Sequence, residues 1–271
     1  MNRTSTKAIS DHNIELNWKQ KILIETSKYI VKLALSEEEL SEVFRIRYQV
    51  FHDEMGLRKY DSSRMDIDKF DEQFHHLIAV SKESNRIIGT YRLQKYEDAV
   101  NNEGFYSEAE FKISELSEEI LKAGVEVGRA CILKESRNTL ILLLLWQGLA
   151  KFLSVNNLYF IYGCGSINSD SPYFAKRISN YINEKGFMHP KFHISIQKKY
   201  TYDFQSLETN STYIPDEKII LPPLLALYLK YGTKICSEPA FDYDFKTFDF
   251  FLLMDVRELS DINKKRFFPD S

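Results

Sequence analysis

The chain has 271 residues, 44% hydrophobic and 28% charged, enough for one large globular domain or two small ones. Its 36 basic and 39 acidic residues leave a net charge of −3, which excludes the basic surplus of a bulk nucleic-acid binder. Three widely spaced cysteines, Cys131, Cys164 and Cys236, show neither C-x-x-C nor metal spacing and read as buried thiols of a reducing compartment.

Residues 1–28 are polar and weakly patterned, and read as a mobile arm or a short helix. They contain no apolar leader. The longest apolar run, 140–146, falls well short of the ~20 residues a membrane-spanning helix needs. A cytoplasmic location is therefore expected. Residues 29–35 alternate as a first strand. Ser36 and Glu39 form a capping box that opens a helix with Leu40, Val43, Phe44 and Tyr48 at helical spacing, and Arg45 and Arg47 lie on it. Residues 57–73 are charged and loop-like. Their D-x-D pattern lacks the glycine and the distal glutamate of a calcium loop, so no metal is expected.

Residues 76–81 and 86–94 read as a hairpin turned at Glu83-Ser-Asn85. Residues 97–119 hold eight acids against one lysine and read as a solvated face. The centre of the chain is 125–166: strand, basic turn, apolar helix, strand. Its first strand carries Glu126 and Arg129, and its turn carries Lys134 and Arg137. A helix starting near Thr139 offers free N–H groups and a partial positive charge, which suits a phosphate or a phosphopantetheine thioester. That helix is apolar nearly all round as far as Val155, so burial is expected. Ser166 opens a turn-rich loop beyond a strand, a usual place for functional residues.

Helices are expected over 173–185 and 222–231, and strands over 192–196 and 248–254. The segment 263–269 is basic and aromatic, a composition that suits an anionic membrane surface. The organisation reads as an arm (1–28), one α/β domain (29–255) and a basic, aromatic tail (256–271).

Several stretches occur together in one order: F-R-I-R-Y-Q-V-F-H-D-E-M-G (44–56), D-I-D-K-F-D-E-Q-F-H-H-L-I-A-V (66–80), V-E-V-G-R-A-C-I with L-L-W-Q-G-L-A, then G-C-G-S, L-P-P-L-L-A-L-Y-L-K-Y-G and E-P-A-F-D-Y-D-F-K-T-F-D-F-F. In this the chain resembles the GNAT superfamily. Within it, the chain is most similar to bacterial ornithine-acyl-carrier-protein N-acyltransferases, which make lyso-ornithine lipid, and to N-acyl amino acid synthases. The resemblance implies a mixed, mainly antiparallel central sheet flanked by helices, with a C-terminal extension. It also implies an enzyme that joins a fatty acyl group to the α-amino group of an amino acid such as ornithine. The expected partners are acyl-carrier protein and the amino acid, with peripheral contact at the inner membrane and no nucleic acid. No cofactor is expected to be bound permanently; the donor would be the acyl-phosphopantetheine thioester of the carrier protein.

The acyl-homoserine lactone synthases share part of the pattern. In that family, positions matching Arg47, Phe51, Asp66, Asp68, Asp71, Arg92, Glu126 and Arg129 line the acyl-donor and amine sites. Those synthases also carry a tryptophan shortly after the phenylalanine, whereas the tryptophans here are Trp18 and Trp146. This argues against the S-adenosylmethionine-using branch. The usual GNAT turn has glycines that wrap a pyrophosphate, but Arg137 is followed by Asn-Thr-Leu-Ile. That departure favours a carrier-protein thioester over acyl-coenzyme A, with Arg137 left to meet a lone phosphate.

Amide formation needs a neutral amine, a polarised carbonyl and a place for the oxyanion. Glu126, in a strand otherwise of Val, Gly, Ala and Ile, is expected to be desolvated and so a fit proton acceptor for an amine of pKa about 7.7–8.0. The plainer alternative is an ion pair between Glu126 and Arg129. Backbone N–H groups near 128–131 are expected to meet the oxyanion. Two readings of Arg47 and Arg92 are open and compatible: they anchor the pantetheine phosphate or carrier-protein acids, and they pair with Asp66, Asp68 and Asp71. Trp146, Phe152, Phe160, Phe250 and Phe251 either line an acyl tunnel or form plain core. Cys164 and Ser166 are not expected as nucleophiles, since no neighbouring motif supplies a base; Ser166 is a substrate-binding candidate. The His-x-x-x-x-Asp signature of glycerophospholipid acyltransferases is absent. Two other functions stay open: a non-catalytic module that binds lipid or carrier protein, and a lactone-synthase-like enzyme.

Overall fold

The computed structural model of the chain describes residues 22–56, 62–204, 219–243 and 245–269. The alternating N-terminal segments form an antiparallel meander of β1 (Ile24–Glu25), β2 (Tyr29–Leu33), β3 (His75–Ser81) and β4 (Arg86–Lys95). Asn85 takes the left-handed conformation the hairpin turn needs, with φ of 51°. β4 pairs antiparallel with β5 (Gly124–Ile132), and β5 pairs parallel with β6 (Phe160–Ile167). β9 (Thr247–Asp255) lies antiparallel on β6, and β7 (Lys234–Ile235) and β8 (Ala240–Asp242) pair with β9. The sheet is mainly antiparallel, as expected.

Helix α1 (Glu37–Tyr48) covers one face of the meander, with Val43 and Ile46 against Ile78, Ile87 and Leu133. The Ser36 hydroxyl caps it by accepting from the Glu39 N–H at 3.2 Å. Glu39 reaches back to the N–H of Leu35 at 2.9 Å, one residue before the cap. α1 runs on into a π-helical turn, Gln49–Glu54. Short helices α2 (Tyr96–Val100) and α3 (Glu118–Lys122) follow β4 and precede β5. The acidic run between them is not a solvated face throughout. Phe105, Phe111, Ile113 and Leu116 bury against Tyr162 and Phe251, and Glu110 goes under with them.

The parallel β5–β6 connection requires a crossover, and helix α4 (Thr139–Val155) provides it. Ile141, Leu144, Leu145, Gly148, Leu149, Ala150, Phe152 and Leu153 are its buried residues, most of them with the period of a helix stripe. The remainder is half-buried or exposed, and Leu140 is 50% exposed, so burial is one-sided. Gly148 lets the helix approach β2: a Cβ there would stand 2.6 Å from Val31. Helices α5 (Pro172–Glu184) and α6 (Pro223–Lys230) pack Ile178, Ile182, Leu225 and Leu229 against Phe248 and Phe250.

One expectation is corrected. Residues 192–196 form no strand; one isolated bridge joins Ile196 to Phe111. The basic and aromatic segment 263–269 is largely helical. Helix α7 (Asp261–Phe267) packs its Phe267 against Trp146 and Tyr231, and Phe267 is only 6% exposed. Most of the expected N-terminal arm lies outside the described residues.

Candidate active site

Strand periodicity places the polar groups. Along β3, β4 and β5, Leu77, Tyr91, Leu93 and Val125 face α4, so His76, Arg92, Gln94 and Glu126 face the opposite side. Arg47 on α1 and the loop bearing Asp66, Asp68 and Asp71 close over that side.

Arg47 is fully buried. It donates to Asp71 Oδ1 at 2.6 Å and to Asp66 Oδ1 at 2.9 Å. Arg92, 1% exposed, donates to both Asp68 oxygens at 2.8 Å and to Asp71 Oδ1 at 3.0 Å. Arg129 donates to Asp68 Oδ2 at 3.1 Å and to the Tyr106 hydroxyl at 3.0 Å. Three guanidinium groups thus meet three carboxylates, and the network is close to neutral. Burial alone would push Asp66 and Asp71 up, but Arg47, with Arg129 beside Asp66 and Arg92 beside Asp71, holds both below the usual carboxylate range. Burial lowers His76 to about 4, so it stays neutral beside Asp71. Arg47 thus takes up the pairing that was one of its two expected readings. Phe51, on the π-helical turn, packs beside the Val43–Ile78 cluster.

Glu126 is 1% exposed, and both its oxygens are occupied. Oε1 accepts from the Ser107 N–H at 2.8 Å and from the Ser107 hydroxyl. Oε2 accepts from the Tyr106 N–H at 3.0 Å and from Gln94 at 3.1 Å. Burial raises its pKa, opposed by the Ser107 and Tyr106 donors. Arg129 turns to Asp68 and Tyr106, so it is not an ion-pair partner of Glu126. A one-turn helix, Tyr106–Ala109, is therefore pinned to β5 by Glu126 and presents the Tyr106 phenol to Arg129.

β5 and β6 pair at only three positions, ending at Glu126 and Tyr162. Beyond them the two strands no longer pair. Gly163 still passes close to Val127, where a Cβ would stand 2.3 Å from the Val127 carbonyl oxygen, and β5 then bulges at Arg129, with φ of 48°. Residues 128–132 and 163–167 then flank a gap, with backbone edges unpaired across it. Arg129 stands there between two rings, 5.0 Å from Tyr106 and 5.2 Å from Phe245. Strand edges that stop pairing are a place where backbone N–H groups can meet a thioester carbonyl and its oxyanion.

β5 and its bulge lie within a recognisable segment: residues 46–147 match the family model of the acetyltransferase (GNAT) domain. The chain carries a GNAT domain. Curated relatives extend the likeness along most of the chain. The L-ornithine N(alpha)-acyltransferase of Rhizobium meliloti (strain 1021) is 28% identical over 239 residues, spanning 84% of this chain and 80% of the relative. That of Brucella abortus (strain 2308) is 28% identical over 246 residues, spanning 85% of each. Among solved structures, the AHL synthase LasI aligns with a TM-score of 0.48 at 12% identity, covering 90% of this chain and 96% of that one. FeeM, an N-acyl amino acid synthase from uncultured soil microbes, aligns with a TM-score of 0.48 at 10% identity, covering 86% and 93%. The GNAT domain and its relatives make this chain an acyl-transferring enzyme.

The remaining expected residues divide. The α4 N-terminus of the GNAT domain is capped by Asn138, which accepts from the Ile141 N–H at 3.1 Å. Arg137 beside it binds Glu54 at 2.5 and 2.9 Å and the Ile132 carbonyl at 2.9 Å. Trp146 is core rather than tunnel wall: it stacks on Tyr228 at 5.7 Å and meets Tyr231 and Phe267 edge-on. Ser166 lies on β6 opposite Asp249 of β9. Two surface hollows, of about 630 Å³ by Lys95 and Glu118 and about 780 Å³ by Gln73 and Glu103, lie away from the parted strands and contain none of the expected residues. Sequence reasoning missed Tyr106, Ser107 and Gln94. The only signal was a Tyr-Ser pair among eight acids, which looked like solvent-facing chain.

Proposed function

We propose that this GNAT enzyme transfers a fatty acyl group from the phosphopantetheine thioester of acyl-carrier protein to the α-amino group of ornithine. The acceptor follows from the curated relatives. The observation that supports a thioester-to-amine reaction is the three-position β5–β6 pairing, which opens the sheet beside Arg129 and Tyr106.

The amine nitrogen attacks the thioester carbonyl carbon, and backbone N–H groups within 128–131 take up the oxyanion. The C–S bond then breaks and the pantetheine sulfur leaves. The amine's proton passes by way of the Ser107 hydroxyl to Glu126, whose raised pKa suits it as acceptor. Arg129 and Tyr106 stand at the gap to fix the donor. Carrier protein is favoured over coenzyme A because no glycines stand after Arg137 to wrap a pyrophosphate.

A second reading of Glu126 has a specific observation behind it. With four donors on its two oxygens, Glu126 acts as a positioning residue that fixes the Tyr106–Ala109 turn.

The test is direct. Purified enzyme is given acyl-carrier protein or acyl-coenzyme A with a panel of amino acids, and N-acyl products are detected by mass. N-acyl-ornithine formed from the carrier-protein donor is the expected result. No amide product with any amine would end the proposal.

A further inference from the structure

A second set of ionisable groups stands outside the arginine–aspartate network. Glu110, Asp242 and Asp249 each bring one carboxylate oxygen to within 4.8 Å of the others. All three are buried, with Glu110 3% and Asp249 5% exposed. They come from three parts of the chain. Glu110 ends the Tyr106–Ala109 turn, Asp242 ends β8 opposite Thr247, and Asp249 lies on β9 opposite Ser166.

Buried carboxylates are normally paired with cations or saturated with donors. Here two oxygens are orphaned: Glu110 Oε2 and Asp249 Oδ1 are buried without any hydrogen-bond partner. Arg129, whose charge reaches Glu110, is committed to Asp68 and Tyr106. The cluster therefore holds two unpartnered carboxyl oxygens in a low-dielectric place, an arrangement that costs stability unless a donor meets them.

Its position gives it a role. Glu110 lies three residues beyond Ser107, which holds Glu126. Cys164, in the part of β6 that flanks the gap, feels the charges of Glu110, Asp249, Glu126 and Arg129 together. The cluster and the gap thus share their walls. We propose that Glu110, Asp249 and Asp242 receive the side-chain ammonium of the acceptor amino acid, while its α-amine meets the thioester between the parted strands. This rests on the functional reading above and deepens it: the enzyme selects a cationic amino acid by charge, at the far end of the acceptor from the reacting nitrogen. An ammonium suits these oxygens better than a metal. It brings three N–H donors for few acceptors, whereas a hard divalent ion wants six or more oxygens. Asp242 has its Oδ1 already accepting the Phe245 N–H at 3.0 Å.

The test compares L-ornithine with L-norvaline, which has the same carbon chain without the side-chain ammonium. Charge-assisted hydrogen bonds of this kind set a preference on the order of a hundredfold in kcat/KM for ornithine in the wild-type enzyme. Glu110→Gln and Asp249→Asn, checked for folding by thermal melting, should cut that preference to about tenfold or less, mostly through the ornithine KM. Wild-type enzyme that acylates norvaline as readily as ornithine would overturn the inference while leaving N-acyl transfer standing, and that measurement needs no variant. Folded variants that keep the full preference would overturn it as well. So would activity abolished by a chelator and restored by a divalent ion. Failure to acylate any amine would overturn the functional reading and this one with it.

Discussion

Ser107 donates both its backbone N–H, at 2.8 Å, and its hydroxyl to a single oxygen of Glu126. This double grip makes Ser107 the only side-chain hydroxyl on the Glu126 carboxylate among the described residues, and it separates the two readings of that glutamate. If Glu126 accepts the amine's proton through Ser107, Glu126→Gln should fold and lose at least about a hundredfold in rate, with the deficit shrinking at high pH. If Glu126 only positions the turn, the loss should be pH-independent and follow the loss of folded protein. Single-turnover rates across pH, beside thermal melts of the same preparation, decide between them.

Donor choice follows from the start of α4. Asn138 caps the helix and Arg137 is held by Glu54, with no glycine to bring further N–H groups round a pyrophosphate. Acyl-carrier protein should exceed acyl-coenzyme A by more than about tenfold in kcat/KM. Added salt should slow the carrier-protein reaction, since charge steering is screened. Equal use of both donors would refute this.

The buried network around Arg47 is expected to be structural. Arg47→Ala leaves Asp66 and Asp71 buried without their main partner and should cost about 3–5 kcal/mol in urea unfolding. Arg47→Lys should rescue it poorly, because one ammonium cannot reproduce the fork that meets two aspartates. The pH sign follows from the lowered values. Asp66 and Asp71 titrate below their unfolded range, so their contribution is present above about pH 4 and lost as pH falls through the folded values. The wild-type melting temperature should therefore drop in acid, and the Arg47→Ala drop should be smaller.

Acceptor binding should carry its own pH signature. Burial first, then Asp242, raises Asp249 to about 6, with the neighbouring side chains of Ser166, Glu110 and Thr247 opposing the shift. Glu110 is also raised, by burial and by Asp249, with Arg129 opposing. Of the neighbouring titratable groups, Cys164 and Tyr106 are both pushed up by burial and stay protonated, while Glu126 and Arg129 adjoin Cys164. Below pH 6 the cluster gains a proton and loses its hold on a cation. The ornithine KM should rise by up to about tenfold per pH unit there, as for one proton. The norvaline KM, which shares only the α-amine titration, should not show this extra rise.

Much of this architecture could be read from the chain. Ser36 before a helical stripe, Asn85 in a turn and the apolar run after Thr139 act locally, so their positions in sequence fix their structure. β1, β7 and β8 escaped notice because strands of two or three residues exist only through their partners. The paired aspartates and arginines were among the expected alternatives, since acids and bases on facing elements neutralise each other. Glu110 was hidden for the opposite reason. An acid amid acids reads as solvated, and only the packing of Phe105, Phe111 and Ile113 beneath it draws it inside. Trp146 took the core reading, one of its two expected alternatives, and an aromatic on an apolar helix carries no mark of which neighbours will claim it.

The three-rung junction between β5 and β6 also bears on how the protein is made. Everything that holds the arginine–aspartate network and the Glu126 turn lies before residue 133, in an antiparallel run of mostly sequential neighbours. A ribosome releases that half first, and it can assemble from nearest-neighbour hairpins while the rest is still being synthesised. Glu110 must wait for Asp242 and Asp249, more than a hundred residues later, before its cluster exists. A nascent chain would thus complete its scaffold early and acquire its acceptor selectivity only with the last strands, so a truncated product would be well folded in part and inert.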